Sequence, residues 1–209
     1  ITITSGAART VVPVVVADKV LDVPHIRQEK SRWCWAACTQ MMVEYYNPNT
    51  TATQTDMART GQGLKENEEP ENENGGYDEM KTIVETYTSE TTVQKQETEF
   101  TESMLLSELK SGDPVIYLST REKDGEWEGG HFNIIYGYYW DSSNNRNIYL
   151  TYDPWDTCAR ANSIHLDVWR RSWANIQHEM DTPATTDRAP DDDYNTDAYY
   201  YANWFMYCQ

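Results

Sequence analysis

Gln28-Glu29-Lys30-Ser31-Arg32-Trp33-Cys34-Trp35-Ala36-Ala37-Cys38 is the stretch on which the fold and the chemistry both turn. From Cys34 to about Tyr46 the apolar residues Ala36, Ala37, Met41, Met42 and Tyr45 recur at helical spacing, and Asn47-Pro48-Asn49 ends the run. Ser31 or a neighbour stands where a helix cap is needed. Cys34 is therefore expected at the helix start, where the aligned peptide dipoles stabilise a thiolate and make it a good nucleophile. Gln28 lies six positions upstream. Its side-chain amide, with the backbone N–H of Cys34, suits the oxyanion formed when a thiolate attacks a carbonyl.

Working downstream, Gly129-Gly130-His131-Phe132-Asn133 and Tyr152-Asp153-Pro154-Trp155 supply a base and a carboxylate in the chain order Cys, His, Asp. A thiol nucleophile needs a proton partner and an orienter for that partner. His131 is expected to open a strand over residues 131–140, and residues 141–147 to turn into a returning strand over 148–155. Antiparallel pairing brings the opening of the first strand close to the end of the second, where Asp153 sits. Trp155, two residues on and on the same face, is expected to shield the His–Asp contact. Each residue also has a plainer reading. Cys34 alone can be an inert buried cysteine or half of a disulfide, and Cys38 fits the buried role better; His131 can be a strand-end histidine, and Asp153 a turn residue. His165 is the substitute base and Asp156 the substitute orienter, whereas His25 and His178 lack a comparable setting.

The remaining pattern predicts an α+β chain. Residues 1–27 read as extended, with Val11-Val12-Pro13-Val14-Val15-Val16 as an edge strand or extended segment. Short helices are expected over 53–59, 77–87 and 102–110. The last is capped by Thr101, buries Met104, Leu105 and Leu109, and ends at Gly112. Residues 65–76, KENEEPENENGG, read as a solvated acidic loop, and 121–130 as a charged, glycine-rich loop. Residues 88–99 are a polar connection or an exposed strand around Thr92-Val93-Gln94. Residues 114–118 form a strand, 164–176 strand, helix or both, 181–197 a surface loop, and 199–208 a final strand. Helices come first and antiparallel strands second. The layout is a single domain, 1–209, with a helical lobe over about 20–112 and a sheet lobe over about 113–209.

The 209 residues are 39% hydrophobic and 24% charged, which supports a packed core. Net charge is −17, with no basic patch, so nucleic acid and anionic membrane surfaces are disfavoured as partners. No apolar run approaches the ~20 residues of a membrane helix. The 15 Tyr and 8 Trp suit cleft linings and an extracellular setting. The chain begins at Ile1, and removal of something upstream, such as a secretion signal, is expected. Cys34, Cys38, Cys158 and Cys208 form no paired C-x-x-C clusters, so no structural zinc is expected. In an oxidising compartment Cys158–Cys208 is the most natural bridge, which leaves Cys34 and Cys38 reduced.

Taken together these pieces resemble the papain-like cysteine peptidases. The shared features are Gln six residues before the nucleophile, Cys entering a helix with Trp beside it, Gly-His followed by apolar residues, and a carboxylate or carboxamide followed by Trp. Asp153-Pro154-Trp155 is similar to the family's Asn-Ser-Trp. The compact size and the Asp look closer to short bacterial members, the C39-like bacteriocin-leader peptidases and the plant-pathogen effector protease. The resemblance covers about residues 20–160. It implies two lobes with a cleft between them and hydrolysis of peptide bonds through Cys34, His131, Asp153 and Gln28. The substrate would be protein or peptide, with no metal or organic cofactor. Lys30-Ser31-Arg32-Trp33 departs from the family's glycine-rich turn, and residues 156–209 match nothing in it. The resulting expectation is a secreted, monomeric bacterial cysteine endopeptidase. Two alternatives are a thiol acyl transferase (transpeptidase or amidase) using the same residues and a silent peptidase-fold recognition module.

Overall fold

A computed structural model of the chain describes residues 2–5, 8–11, 17–89, 93–96, 100–123, 126–143, 145–155, 168–172 and 199–208. Among these residues the protein is α+β, with four helices and an antiparallel sheet. The helices are α1 (Cys34–Tyr46), α2 (Gln54–Gly61), α3 (Tyr77–Tyr87) and α4 (Glu102–Ser111). The strands are β1 (Thr2–Ser5), β2 (Ala8–Val11), β3 (Lys19–Val20), β4 (Val93–Gln96), β5 (Val115–Lys123), β6 (Glu126–Asp141), β7 (Arg146–Tyr152), β8 (Val168–Ser172) and β9 (Tyr199–Cys208).

Local chemistry explains the helix bounds. Thr53 caps α2 reciprocally: its hydroxyl accepts from Asp56 N–H, and the Asp56 carboxylate accepts from Thr53 N–H at 2.9 Å. Thr101 caps α4 by accepting from Met104 N–H, and Gly112, at φ 109°, takes the left-handed turn that stops it. Leu105 and Leu109 are fully buried, whereas Met104 only packs against the core from its margin. α1 keeps its expected span but not its expected cap. Trp33 occupies the cap position and offers no side-chain acceptor, while Ser31 Oγ accepts from Asn72 Nδ2.

β1 and β2 form a separate two-stranded sheet. The main sheet runs β4-β9-β5-β6-β7-β8, with β3 paired to β6. α1 packs on α2 and α3 on one side and on β6 on the other, so nine of its thirteen residues are buried.

Four expectations change. Residues 121–130 are largely strand, because β5 and β6 continue as a ladder that pairs Lys123 with Glu126 past a register shift at Arg121/Glu122. Ladder bonds are made by the backbone and do not need apolar side chains. His131 therefore sits well inside β6 rather than at its opening. The strand around Val93 pairs with β9, and Val93 itself is buried rather than exposed. The returning strand stops at Tyr152, ahead of Asp153. Of the ambiguous 164–176 segment, residues 168–172 are strand β8, paired to β7. Val12–Val16, Thr92, residues 181–197, Cys158, Asp156, His165 and His178 lie outside the described residues.

Candidate active site

The start of α1 is fixed from outside the helix. Trp33 and Trp35, which flank Cys34, are buried, and a buried indole needs a partner for its N–H. Trp33 Nε1 donates to the Glu71 carbonyl at 2.9 Å and Trp35 Nε1 to the Glu73 carbonyl at 3.0 Å. Lys30 Nζ donates to the Pro70 carbonyl, and Arg32 N–H to Asn72 Oδ1. The acidic 65–76 segment is thus docked along the approach to α1 instead of being simply solvated. Gly75 lies against the face of Trp35 so closely that a Cβ there would enter the ring's van der Waals envelope. Of the two sequence readings for Trp33 and Trp35, cleft lining or core packing, both residues take the second.

Cys34 is the first residue of α1, 8% exposed, and its thiol is free, as is that of Cys38. The first turn holds no acidic side chain and no side-chain cap, so no carboxylate of its own offsets the positive end of the helix.

β6 and β7 pair in the register Ile134↔Tyr152, which brings Asp153, the residue after β7, towards His131. His131 Nε2 lies 2.5 Å from Asp153 Oδ1. Trp155 N–H donates to the same oxygen at 2.8 Å, and its indole is exposed. Cys34, at the start of α1, adds to the charge felt by the same ring. Burial of the ring opposes its protonation, but the Asp153 carboxylate and Cys34 override this and raise the imidazole from 6.5 to about 10. The ring is therefore an imidazolium at neutral pH. One turn behind, Cys38 is held well above the usual thiol range by burial, then by the charges of Cys34 and Asp153.

Gln28 approaches the same region differently from its expected role. Its Nε2 donates to the Lys30 carbonyl at 2.9 Å, and its Oε1 is buried with no hydrogen-bond partner. Its backbone N–H donates to the Pro154 carbonyl at 3.0 Å. One amide hydrogen of Gln28 remains for another acceptor. His25, passed over in the sequence, contacts the Asp153 carbonyl and stacks on Tyr152. No local pattern marks a contact made across so many positions.

Among the described residues no group of three or more His, Cys, Asp or Glu side chains is arranged to hold a metal ion. No helix among them is long and apolar enough to cross a membrane. A comparison with curated proteins finds no match. Residues 20–180 match the Peptidase_C39 like family, and this span contains Gln28, Cys34, His131 and Asp153. With most of its length inside that match, the chain belongs to the Peptidase_C39 like family, a papain-like type of cysteine peptidase family.

Proposed function

We propose that this chain is a secreted bacterial cysteine endopeptidase with Cys34 as nucleophile, His131 as acid and base, Asp153 as its orienter, and Gln28 as an oxyanion donor. The observation that carries the reading is the His131 ring, hydrogen-bonded to the Asp153 carboxylate and held protonated by that carboxylate and Cys34. Residues 1–209 act in this reading as one monomeric domain, with lobes of about 20–112 and 113–209 and a cleft between them. The packing of α1 between the other helices and β6 supports a seam at Cys34. The Tyr- and Trp-rich composition supports an extracellular setting, and assaying culture fluid against cell lysate for the protein tests it.

In the proposed reaction the Cys34 thiolate attacks the scissile carbonyl carbon. The carbonyl electrons move onto oxygen, facing the Cys34 N–H and the free amide hydrogen of Gln28. As the C–N bond breaks, the His131 imidazolium delivers its proton to the leaving amine. The neutral ring then takes a proton from water, and the resulting hydroxide attacks the thioester. Collapse releases the acid and returns Cys34 as thiolate beside imidazolium.

Wild type and Cys34→Ala, incubated with a peptide library and followed by fragment sequencing, test the reading. Cleavage by wild type alone is expected, and equal fragmentation by both proteins would sink it. A ligated product on adding a primary amine would instead assign acyl transfer through the same thioester.

A further inference from the structure

The irregular segment between β3 and α1 crosses the end of β7, and its bonds there surround Asp153. His25 Nε2 lies 3.3 Å from the Asp153 carbonyl oxygen, and Gln28 N–H bonds the next carbonyl, that of Pro154. The His25 ring stacks on Tyr152 with centroids 4.5 Å apart and planes inclined by 17°. Tyr152 stacks in turn on the buried Tyr136 at 4.0 Å and 9°, so its ring lies between the other two. Leu21 N–H ties the start of the segment to the Tyr136 carbonyl at 2.8 Å. A carbonyl oxygen only accepts, so Nε2 of His25 carries a proton in this contact.

Adjacent residues of an extended chain project to opposite sides. The stack on Tyr152 therefore holds the chain from the side that the Asp153 carboxylate does not use. On its own side that carboxylate meets His131 Nε2 and Trp155 N–H. We infer that His25 is a positioning residue for Asp153: clamped on Tyr152 and bonded to the Asp153 carbonyl, it fixes the direction in which the carboxylate meets His131. Both properties of the side chain are used. Phenylalanine keeps a flat ring for the stack without a donor, and glutamine keeps a donor without the ring. The same segment runs directly into Gln28 and Cys34, so one strap ties the orienting carboxylate to the helix that carries the thiol.

This rests on the proposed role of the His131–Asp153 pair, and the readouts separate the two. The groups that set the His131 proton are Asp153 after β7 and Cys34 on α1, with Cys38 behind them coupled to both. Labelling of Cys34 by iodoacetate, an anion drawn in by the imidazolium, falls as His131 deprotonates and needs no peptide substrate. His25→Phe should move that alkaline midpoint down by about one unit. It should also lower kcat about tenfold with KM within about twofold of wild type. His25→Gln should restore the midpoint in part. A midpoint unchanged in His25→Phe, whatever its melting temperature, overturns the inference. Peptide cleavage absent from wild type while the midpoint still shifts would remove the proposed activity and leave the positioning role standing. The wild-type protein gives an independent reading if His25→Phe does not fold. Two-bond proton–nitrogen NMR at neutral pH should show Nε2 of His25 protonated, and an unprotonated Nε2 overturns the inference.

Discussion

Asp153 occupies the position where the papain-like peptidases that the chain resembles carry asparagine, and its charge changes what His131 can do. An asparagine oxygen would still accept from Nε2–H, but without the charge that holds the ring at about 10. Asp153→Asn should therefore keep the contact and lower the alkaline midpoint of iodoacetate labelling by about 1–3 units. An unmoved midpoint would mean that Cys34 alone sustains the imidazolium. Stability follows the same proton. The ring's value rises from 6.5 to about 10 on folding, so its protonation favours the fold fully below about 6.5. That contribution is lost as pH rises through about 10, and urea midpoints should fall across this window in wild type but less in Asp153→Asn. For Gln28, loss of an oxyanion donor is worth about 10²–10³ in kcat. Gln28→Ala with unchanged kcat would assign its amide to the Lys30 carbonyl alone. Residue type and chain order were enough to select Cys34, His131 and Asp153 as candidates. The pairing of Gln28 with Lys30 and the stacking of His25 were not legible, because they depend on side-chain directions that no spacing encodes.

At the scale of elements, helices announced themselves where one face is apolar and the ends carry caps. α3 has the expected bounds because Met80, Ile83 and Val84 recur on the buried face. The polar 121–130 stretch misled because its backbone is satisfied by the neighbouring strand, a partner that composition does not reveal. The acidic 65–76 loop misled for a related reason. Its side chains are mostly exposed, but its carbonyls receive the Trp33 and Trp35 indoles and the Lys30 ammonium. The loop therefore belongs to the core through its backbone, and Gly75 is where that contact is tightest. Gly75→Ala forces either the Trp35 ring or the loop to move and should cost about 1–3 kcal/mol in urea unfolding. Because Trp35 adjoins Cys34, the labelling rate of Cys34 should change as well. An unaltered urea midpoint would show that the loop can lift away from the indole without loss.

On the scale of the whole molecule, the sheet is completed by the last described strand. β9 lies between β4 and β5, pairing Val93 with Cys208 and Ile116 with Met206, and it buries Met206 and Tyr207. The aromatic tail was readable as a strand, but its interior place was not, since long-range pairing leaves no local signature. The strands that carry His131 and lead to Asp153 are joined to β9 through β5, so the site depends on the far end of the chain. Ending the chain after Ala198 would leave β5 and β4 with unpaired edges and would open the core beneath Met206. The truncated protein should lose its cooperative urea transition, aggregate, and label Cys34 and Cys38 at similar rates. Removing residues 1–16 should preserve the transition, because among the described residues β1 and β2 pair only with each other. A sharp transition in the chain ending at Ala198 would mean that β9 fills a gap the remaining strands can close without it.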